Sequence, residues 1–458
     1  MREVGAIALP VVDSEQRLVG VLTVDDAMSI LEIEETEDFA LHGGHSPLRA
    51  SYLSVSALSL ARARALWLMV LASSSQVMII APILPRIAVA LDISPGLQGT
   101  LVTGYALALA TFALIIGPIS DRVGRRRVLL WGTGAMALVL LLHALAEDFG
   151  TLLAVRILAG AAGGILTGSA VSYVGDYFPY ERRGWANGWV MSGFAVGQII
   201  GVPIGTIVAD RYGFAAPFLL FSGAMAISFL LVLTRVPQPV VERAEPLSMG
   251  SALRGYAGLV RQRPVVVAAL AYATMFFAIS SFTTFVPSWA ETELGVVPDQ
   301  IAIWFALGGL ASVLAGPRAG RLSDRFGRKP LIVFSCLGTA MLFAAASFAI
   351  GGFVTGGVFF FAIMILVAMR LAPFQALLSA LVHDRSRGSL LSLVVSTGQV
   401  GGGLGGALAG IAYQHAGFFG CTMLGAGSIA ITGVLVARGL PEPSRERHAG
   451  TKQAPTSA

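Results

Sequence analysis

Two copies of one polar string hold the residues of this chain whose types and spacing could do chemistry. The string G-P-I-S-D-R-V-G-R-R covers residues 117–126, and G-R-L-S-D-R-F-G-R-K covers residues 320–329. Their aspartates, Asp121 and Asp324, lie 203 residues apart, and glycines and arginines recur at the same offsets. An aspartate at a helix end stays ionised beside arginines, and glycines allow close helices and a tight turn. The strings therefore predict a charged latch that occurs twice in an internally duplicated chain.

The latch prediction extends to arginines that follow two later apolar segments. Arg183 and Arg387 come after the fourth and tenth apolar segments and lie 204 residues apart, which matches the repeat of the string. Positive charge at one membrane face would explain the arginines, but it would not explain the matching glycines and aspartates. The full set of predicted latch residues is Gly117, Asp121, Arg122, Gly124, Arg125, Arg126, Arg183, Gly320, Asp324, Arg325, Gly327, Arg328 and Arg387.

The composition indicates a helical protein that crosses a membrane many times. Hydrophobic residues make up 55% of the chain, charged residues 12%, and the mean hydropathy is +0.76. A soluble protein carries about twice that charged fraction. The 458 residues leave room for about a dozen spans of ~20 residues. Loop arginines explain the net charge of +5, so we expect no nucleic-acid partner.

Few residues could bind a metal or catalyse a reaction. The two cysteines, Cys336 and Cys421, lie within apolar runs, so no disulfide framework or metal cluster is expected. The six histidines form no cluster with acids or cysteines at metal-ligand spacing. We therefore expect no metal, no cofactor and no enzymatic activity. The N-terminus is polar and acidic, which predicts no cleavable signal peptide.

Twelve apolar runs predict an all-α membrane protein with twelve transmembrane helices in two pseudo-symmetric six-helix halves. The predicted domains are a cytoplasmic segment (1–65), the first half (66–233), a cytoplasmic linker (234–263), the second half (264–437) and a disordered tail (438–458). Arginines fill the loops on one side and acids those on the other, which predicts that both termini are cytoplasmic. The runs lie near 66–90, 97–119, 128–146, 149–173, 184–209, 213–233, 264–290, 299–319, 330–350, 352–381, 388–413 and 416–437.

The duplicated string resembles the signature loop of the major facilitator superfamily, which joins the second and third helices of each half. The resemblance implies a monomeric secondary transporter of the twelve-span efflux type, in a bacterial inner membrane. It would move a small molecule by alternating access, and the charged loops would latch one face of the bundle. Proton coupling is implied by the family alone, because no Asp or Glu lies deep within a predicted span.

Two arginines lie within predicted spans. Arg156 stands in R-I-L-A-G-A-A-G-G, which resembles the family's fourth-helix motif, whose arginine faces the central cavity. The alternative is an arginine that snorkels to the membrane surface. Arg370 lies too deep to snorkel, so it either lines a functional site or forms a helix–helix hydrogen bond.

The polar residues of the spans predict the substrate cavity. A cavity with two cations and no anion favours a substrate that is neutral and polar or carries an acidic group, rather than a lipophilic cation. Glycines repeat at spacings near four in the fifth and eleventh spans and predict close helix crossings there. The predicted cavity residues are Gln76, Arg156, Gln198, Arg370, Gln375 and Gln399.

The first seventy residues follow a different pattern. L-P-V-V-D at residues 9–13 and G-V-L-T-V-D-D at 20–26 predict a hairpin followed by an acidic helix. This partial β-β-α segment resembles the end of a CBS domain and the connecting helix of MgtE-type magnesium channels. The resemblance implies either a Mg²⁺-responsive appendage or an inert remnant of a fusion, and we favour the remnant because half of the CBS motif is missing. A magnesium channel or transporter is the alternative function.

Overall fold

The computed structural model describes residues 8–12, 18–23, 47–178, 180–239, 249–381 and 387–441, and it divides the chain into two compact units, 1–62 and 63–458. In the first unit, strands β1 (Ala8–Val12) and β2 (Leu18–Thr23) pair antiparallel, and the register shifts at Val12. The two strands lie where the hairpin was predicted, but residues 13–17 between them lie outside the described residues, so the predicted β-β-α segment is not confirmed. The acidic helix predicted after the strands lies outside the described residues, so the resemblance to a CBS domain stays a prediction.

The second unit is helical throughout its described residues. It also contains a 3-10 turn (His143–Leu145) and a π-helical turn (Gly197–Gly201). The helices are α1 (Pro47–Met78), α2 (Ile80–Ala90), α3 (Pro95–Val123), α4 (Arg125–Leu142), α5 (Phe149–Leu166), α6 (Ser169–Tyr177), α7 (Tyr180–Val196), α8 (Val202–Tyr212), α9 (Ala216–Arg235), α10 (Met249–Val260), α11 (Arg263–Thr283), α12 (Val286–Leu294), α13 (Pro298–Phe326), α14 (Arg328–Ala349), α15 (Phe353–Leu381) and α16 (Arg387–Gly439).

Ten helical segments of the described residues are long and apolar enough to cross a membrane. The count is eleven when Ala63–Met78 and Ile80–Ala90, which meet at a bend of 50°, form one span. The helix α16 is interrupted at Ala416 and Gly417, whose backbone angles are not helical. The observed spans fall on the predicted apolar runs, and the structure thus shows a multi-pass helical bundle.

Small residues allow the central helices to pack closely. The helix α3 packs against α5 and α16, and α11 packs against α16. A Cβ added at Gly405 of α16 would lie 2.9 Å from the Cα of Phe277 in α11, closer than such atoms approach. Only glycine permits this crossing, as the glycine pattern of the eleventh span predicted. Large apolar side chains such as Leu138 and Phe348 remain exposed on the outside of the bundle, as expected of a surface that faces lipid.

Candidate functional site

The two copies of the polar string fold into the same turn. The helix α3 ends at Val123 and α4 begins at Arg125, and Gly124 between them has φ 104° and ψ 140°. Gly327 joins α13 to α14 with φ 98° and ψ 151°. Positive φ strains residues with a side chain, so glycine at this position is required in both copies. We call the end of the bundle that carries these two turns the loop end.

An ion pair fastens the first turn to a neighbouring helix. Nε of Arg125 lies 2.7 Å from a carboxylate oxygen of Asp176 in α6, and Nη1 donates to Oγ of Ser120 at 3.0 Å. We predicted Arg183 as a latch residue in this region. In the structure its Nε donates to the nearby carbonyl of Phe178 at 3.0 Å. Asp176 is therefore a partner of the signature loop that the sequence analysis did not select.

The first turn also holds the start of the linker between the halves. The backbone N–H of Arg126 donates to Oε1 of Gln238 at 3.2 Å, and its guanidinium donates to the carbonyl of Leu233 at 2.7 Å. Tyr173 donates its hydroxyl to the carbonyl of Pro237 at 2.9 Å. The linker thus leaves the first half from a fixed point beside the turn.

The second turn also contacts a neighbouring helix. Nη1 of Arg328 donates to the backbone carbonyl of Ala376 at 3.0 Å. An offset of 204 residues places Ala380 where the first half has Asp176, so the second half has no carboxylate at this position. Asp324 is exposed. The guanidinium of Arg325 lies 5.3 Å from the ring centre of Phe326.

Part of the predicted latch remains untested. The side chains of Asp121, Arg122 and Arg387 lie outside the described part of the structure. The backbone at Asp121 and at Gly117 is helical, within α3, and Gly320 lies within α13. The latch that we predict at Asp121 and Asp324 therefore stays a prediction.

A cluster of polar side chains is buried between α1, α3 and α5, and we call it the Arg156 cluster. It contains Gln76, Tyr105 and Arg156, which are 0%, 3% and 1% exposed. The guanidinium of Arg156 lies 4.5 Å from the ring centre of Tyr105, and its Nη1 lies 3.5 Å from Oε1 of Gln76. Nε2 of Gln76 donates to the Tyr105 hydroxyl at 3.0 Å. The structure thus brings together two predicted cavity residues and adds Tyr105, which the sequence analysis missed.

Arg370 belongs to a different contact. Its Nη1 donates to Oγ1 of Thr339 at 2.9 Å and to Oγ of Ser335 at 3.4 Å, and both acceptors lie on α14. The side chain is 0% exposed, and Nε and Nη2 have no partner among the described residues. This geometry matches the alternative of a helix–helix hydrogen bond between α14 and α15.

The three remaining predicted glutamines do not join the Arg156 cluster by any hydrogen bond of the described residues. Gln375 is exposed. Gln198 and Gln399 are half-buried, and Gln198 lies in the π-helical turn that packs against α13. Of the six predicted cavity residues, Gln76 and Arg156 are thus the pair joined by a hydrogen bond among the described residues.

Neither buried arginine forms an ion pair with a carboxylate in the described part of the chain. No group of three or more His, Cys, Asp or Glu residues there could hold a metal ion. The Arg156 cluster is therefore cationic and is held by an amide and an aromatic ring. Such a cluster can attract an anion or a hydrogen-bond acceptor.

A second charged cluster lies at the end of the bundle opposite the loop end. Arg86 of α2 donates to Asp210 of α8 through Nε at 3.2 Å and Nη2 at 3.0 Å. Its Nη1 lies 2.7 Å from Glu291 of α12. We call these residues the Arg86 triad. The sequence analysis did not select any of the three, because nothing in their spacing joins them.

A comparison with protein families decides the identity of the bundle. The family described as Major Facilitator Superfamily matches residues 66–297 and 268–458. The chain belongs to the major facilitator superfamily. The match begins at residue 66, which leaves the N-terminal segment without support from this comparison.

Relatives and solved structures agree with membership of the major facilitator superfamily. The chain is 29% identical over 347 residues to the uncharacterized MFS-type transporter YceJ of Bacillus subtilis, covering 75% of this chain and 86% of YceJ. It is 29% identical over 240 residues to the multidrug resistance protein MdtG of Serratia proteamaculans, covering 51% of this chain and 57% of MdtG.

Two solved structures share the fold. The crystal structure of a D-xylose–proton symporter has a TM-score of 0.69 at 16% identity and covers 84% of this chain and 98% of the symporter. The inward-facing, unoccupied structure of a bacterial homologue of the human lysosomal transporter Spinster has a TM-score of 0.63 at 17% identity, covering 84% and 95%. At these identities the likeness concerns the fold alone.

Proposed function

We propose that this member of the major facilitator superfamily is a secondary active efflux carrier for small polar molecules, including molecules that bear an acidic group. It works by alternating access in a bacterial inner membrane, with the loop end and both termini in the cytoplasm. Arginines crowd the loop end, whereas acids dominate the opposite loops, which supports this orientation. The relative MdtG is named a multidrug resistance protein, and this name supports transport of the substrate out of the cell.

Twelve spans belong to the proposal. Eleven segments of the described residues are long and apolar enough to cross a membrane when the bent pair counts as one span. The segment Gly388–Gly439 is 52 residues long, more than twice the length that a bilayer needs, and it is interrupted at Ala416 and Gly417. We count it as two spans, and the total of twelve divides into six before the linker and six after it.

The observation that carries the proposed substrate class is the buried guanidinium of Arg156. An arginine at membrane depth is costly unless it faces a partner or water. Here its contacts are the Tyr105 ring and the Gln76 oxygen, both uncharged. An uncompensated cation favours a ligand that brings negative charge or an acceptor oxygen. We propose that the substrate contacts the Arg156 cluster in the conformation that opens this site.

Proton coupling is proposed on the basis of the family alone. The spans carry acidic side chains near their ends, and the Arg156 cluster contains no carboxylate. The symporter that shares the fold is named as proton-coupled, and that property is its own. The magnesium alternative depends on residues 1–70, and no metal-ligand group occurs in the described part of the chain.

Uptake into proteoliposomes tests the substrate class. Three radiolabelled probes represent the competing substrate classes. They are glucuronate (acidic), glucose (neutral and polar) and tetraphenylphosphonium (a lipophilic cation). We expect binding and flux of glucuronate or glucose to exceed those of tetraphenylphosphonium, and Arg156→Leu to remove the preference. Tight binding of tetraphenylphosphonium that survives Arg156→Leu would contradict the proposed substrate class.

A further inference from the structure

We infer that the Arg86 triad is the gate at the opposite end of the bundle, and that its two carboxylates have opposite effects on opening. Glu291 holds the gate closed, whereas Asp210 keeps the cation in its own half and favours opening. This inference rests on the proposed alternating-access function. It assigns gating residues outside the signature loops and outside the Arg156 cluster.

The triad is placed where the two halves must separate. Arg86 and Asp210 belong to the first half, on α2 and α8, and Glu291 belongs to the second half, on α12. The contact between Arg86 and Glu291 is the shorter one, at 2.7 Å, and both side chains are less than one-fifth exposed. Asp210 is more open to solvent, at 43% of its side chain. Opening this end must break the pair with Glu291 and can leave the pair with Asp210 intact.

The helix that carries the cation of the triad begins at a bend. The helix α2 follows a 50° bend after α1, whereas α12 continues α11 within one apolar segment, Arg263–Leu294, through Thr284 and Phe285. A short segment beyond such a bend can shift as a unit while the longer helices stay packed. The cation therefore lies on a short segment that can shift relative to Glu291 in the second half.

The charges of the triad predict that removing one carboxylate destabilises the closed state and that removing the other stabilises it. In the closed state Arg86 contacts both acids, and the two acids also repel each other across it. Replacing Glu291 with glutamine removes the attraction between the halves, so the closed state loses stability. Replacing Asp210 with asparagine removes the repulsion and leaves Arg86 to Glu291 alone, so the closed state gains stability. Loss of a partly exposed ion pair changes the ratio of open to closed molecules by roughly two- to five-fold.

Distances between spin labels measure the ratio of open to closed molecules without any substrate. One label is attached at Tyr212→Cys of the first half and one at Val297→Cys of the second half, since both positions are exposed near this end. The two native cysteines are buried and should not react with the label. We compare the unmodified triad with Glu291→Gln and Asp210→Asn. The matched control is Glu293→Gln. Glu293 lies on α12, like Glu291, but its hydrogen bond comes from Trp289 and not from Arg86.

The expected result is a two- to five-fold larger ratio of open to closed molecules in Glu291→Gln, and a smaller ratio in Asp210→Asn, than in the unmodified triad. The control should match the unmodified triad. The inference is overturned if Glu291→Gln does not exceed Glu293→Gln, or if the open fraction of Asp210→Asn equals or exceeds that of the unmodified triad. Failure of the proposed transport function is a separate result, because it would appear as a lack of substrate flux in the wild-type protein.

Discussion

The replacement of Gln76 by glutamate tests the claim that Arg156 has no counter-ion among the described residues. Gln76 and glutamate have nearly the same shape, and Oε1 of Gln76 lies 3.5 Å from Nη1 of Arg156. Two unit charges at that distance attract by about 5 kcal/mol at an effective dielectric constant of ~20. Burial of the new carboxylate costs several kcal/mol, roughly the same amount. We therefore expect Gln76→Glu to be as stable as the wild-type protein or slightly more stable.

The matched control is Gln76→Met, which keeps the length of the side chain and removes its polar atoms. It deletes the acceptor for Arg156 and the donor to the Tyr105 hydroxyl, so we expect a loss of about 2–3 kcal/mol. Thermal unfolding in detergent, followed by loss of the monodisperse peak, ranks the three proteins. The predicted order of apparent melting temperature places glutamate at or above glutamine and methionine below both.

Substrate selectivity gives this prediction a second readout. A glutamate beside Arg156 competes with an acidic substrate, so Gln76→Glu should bind glucuronate about tenfold more weakly while glucose changes less. This difference corresponds to ~1.4 kcal/mol. If Gln76→Glu is as unstable as Gln76→Met, then Arg156 already has a negatively charged partner and the reasoning fails. Unchanged glucuronate binding in a stable Gln76→Glu protein would also contradict it.

Three further predictions follow from contacts of the described residues. Arg370→Met should fold and transport nearly as well as the wild type, because exchange of a buried charge for an apolar group of similar length is often neutral; loss of flux in a stably folded variant would return Arg370 to the substrate site. Asp176→Asn should slow transport several-fold without loss of expression, since it frees Arg125 from a pair worth about 1 kcal/mol at this exposure; wild-type flux would show that this pair does not position the loop. Deletion of residues 1–46, which leaves α1 whole, should keep flux unchanged and insensitive to Mg²⁺; flux that responds to Mg²⁺ only in the full chain would show that the segment is regulatory.

Features that depend on neighbouring residues could be predicted from the sequence. The apolar runs determine the spans, because a run of ~20 apolar residues has few other stable states in a bilayer. The glycine turns at Gly124 and Gly327 follow from a local rule about positive φ. The two strands at the N-terminus follow from alternation and turn residues. Each of these is a property of one stretch of chain.

Partners that come from distant helices could not be predicted. Arg86 meets carboxylates 124 and 205 residues away, and Arg156 meets an amide 80 residues away. These meetings depend on how the helices rotate and cross. Arg370 illustrates the difficulty: α15 is apolar on nearly every side, so no periodic pattern indicates whether its arginine faces the centre or α14.

Counterflow in proteoliposomes tests the central claim, that the protein is an alternating-access carrier, most directly. Vesicles are loaded with whichever of glucuronate and glucose binds more tightly, and a trace of the same labelled compound is added outside. We expect the internal load to accelerate entry of the label and the rate to saturate with external concentration, because one site must face each side in turn. Label entry that is linear in concentration and indifferent to the internal load would indicate a channel and would contradict the account.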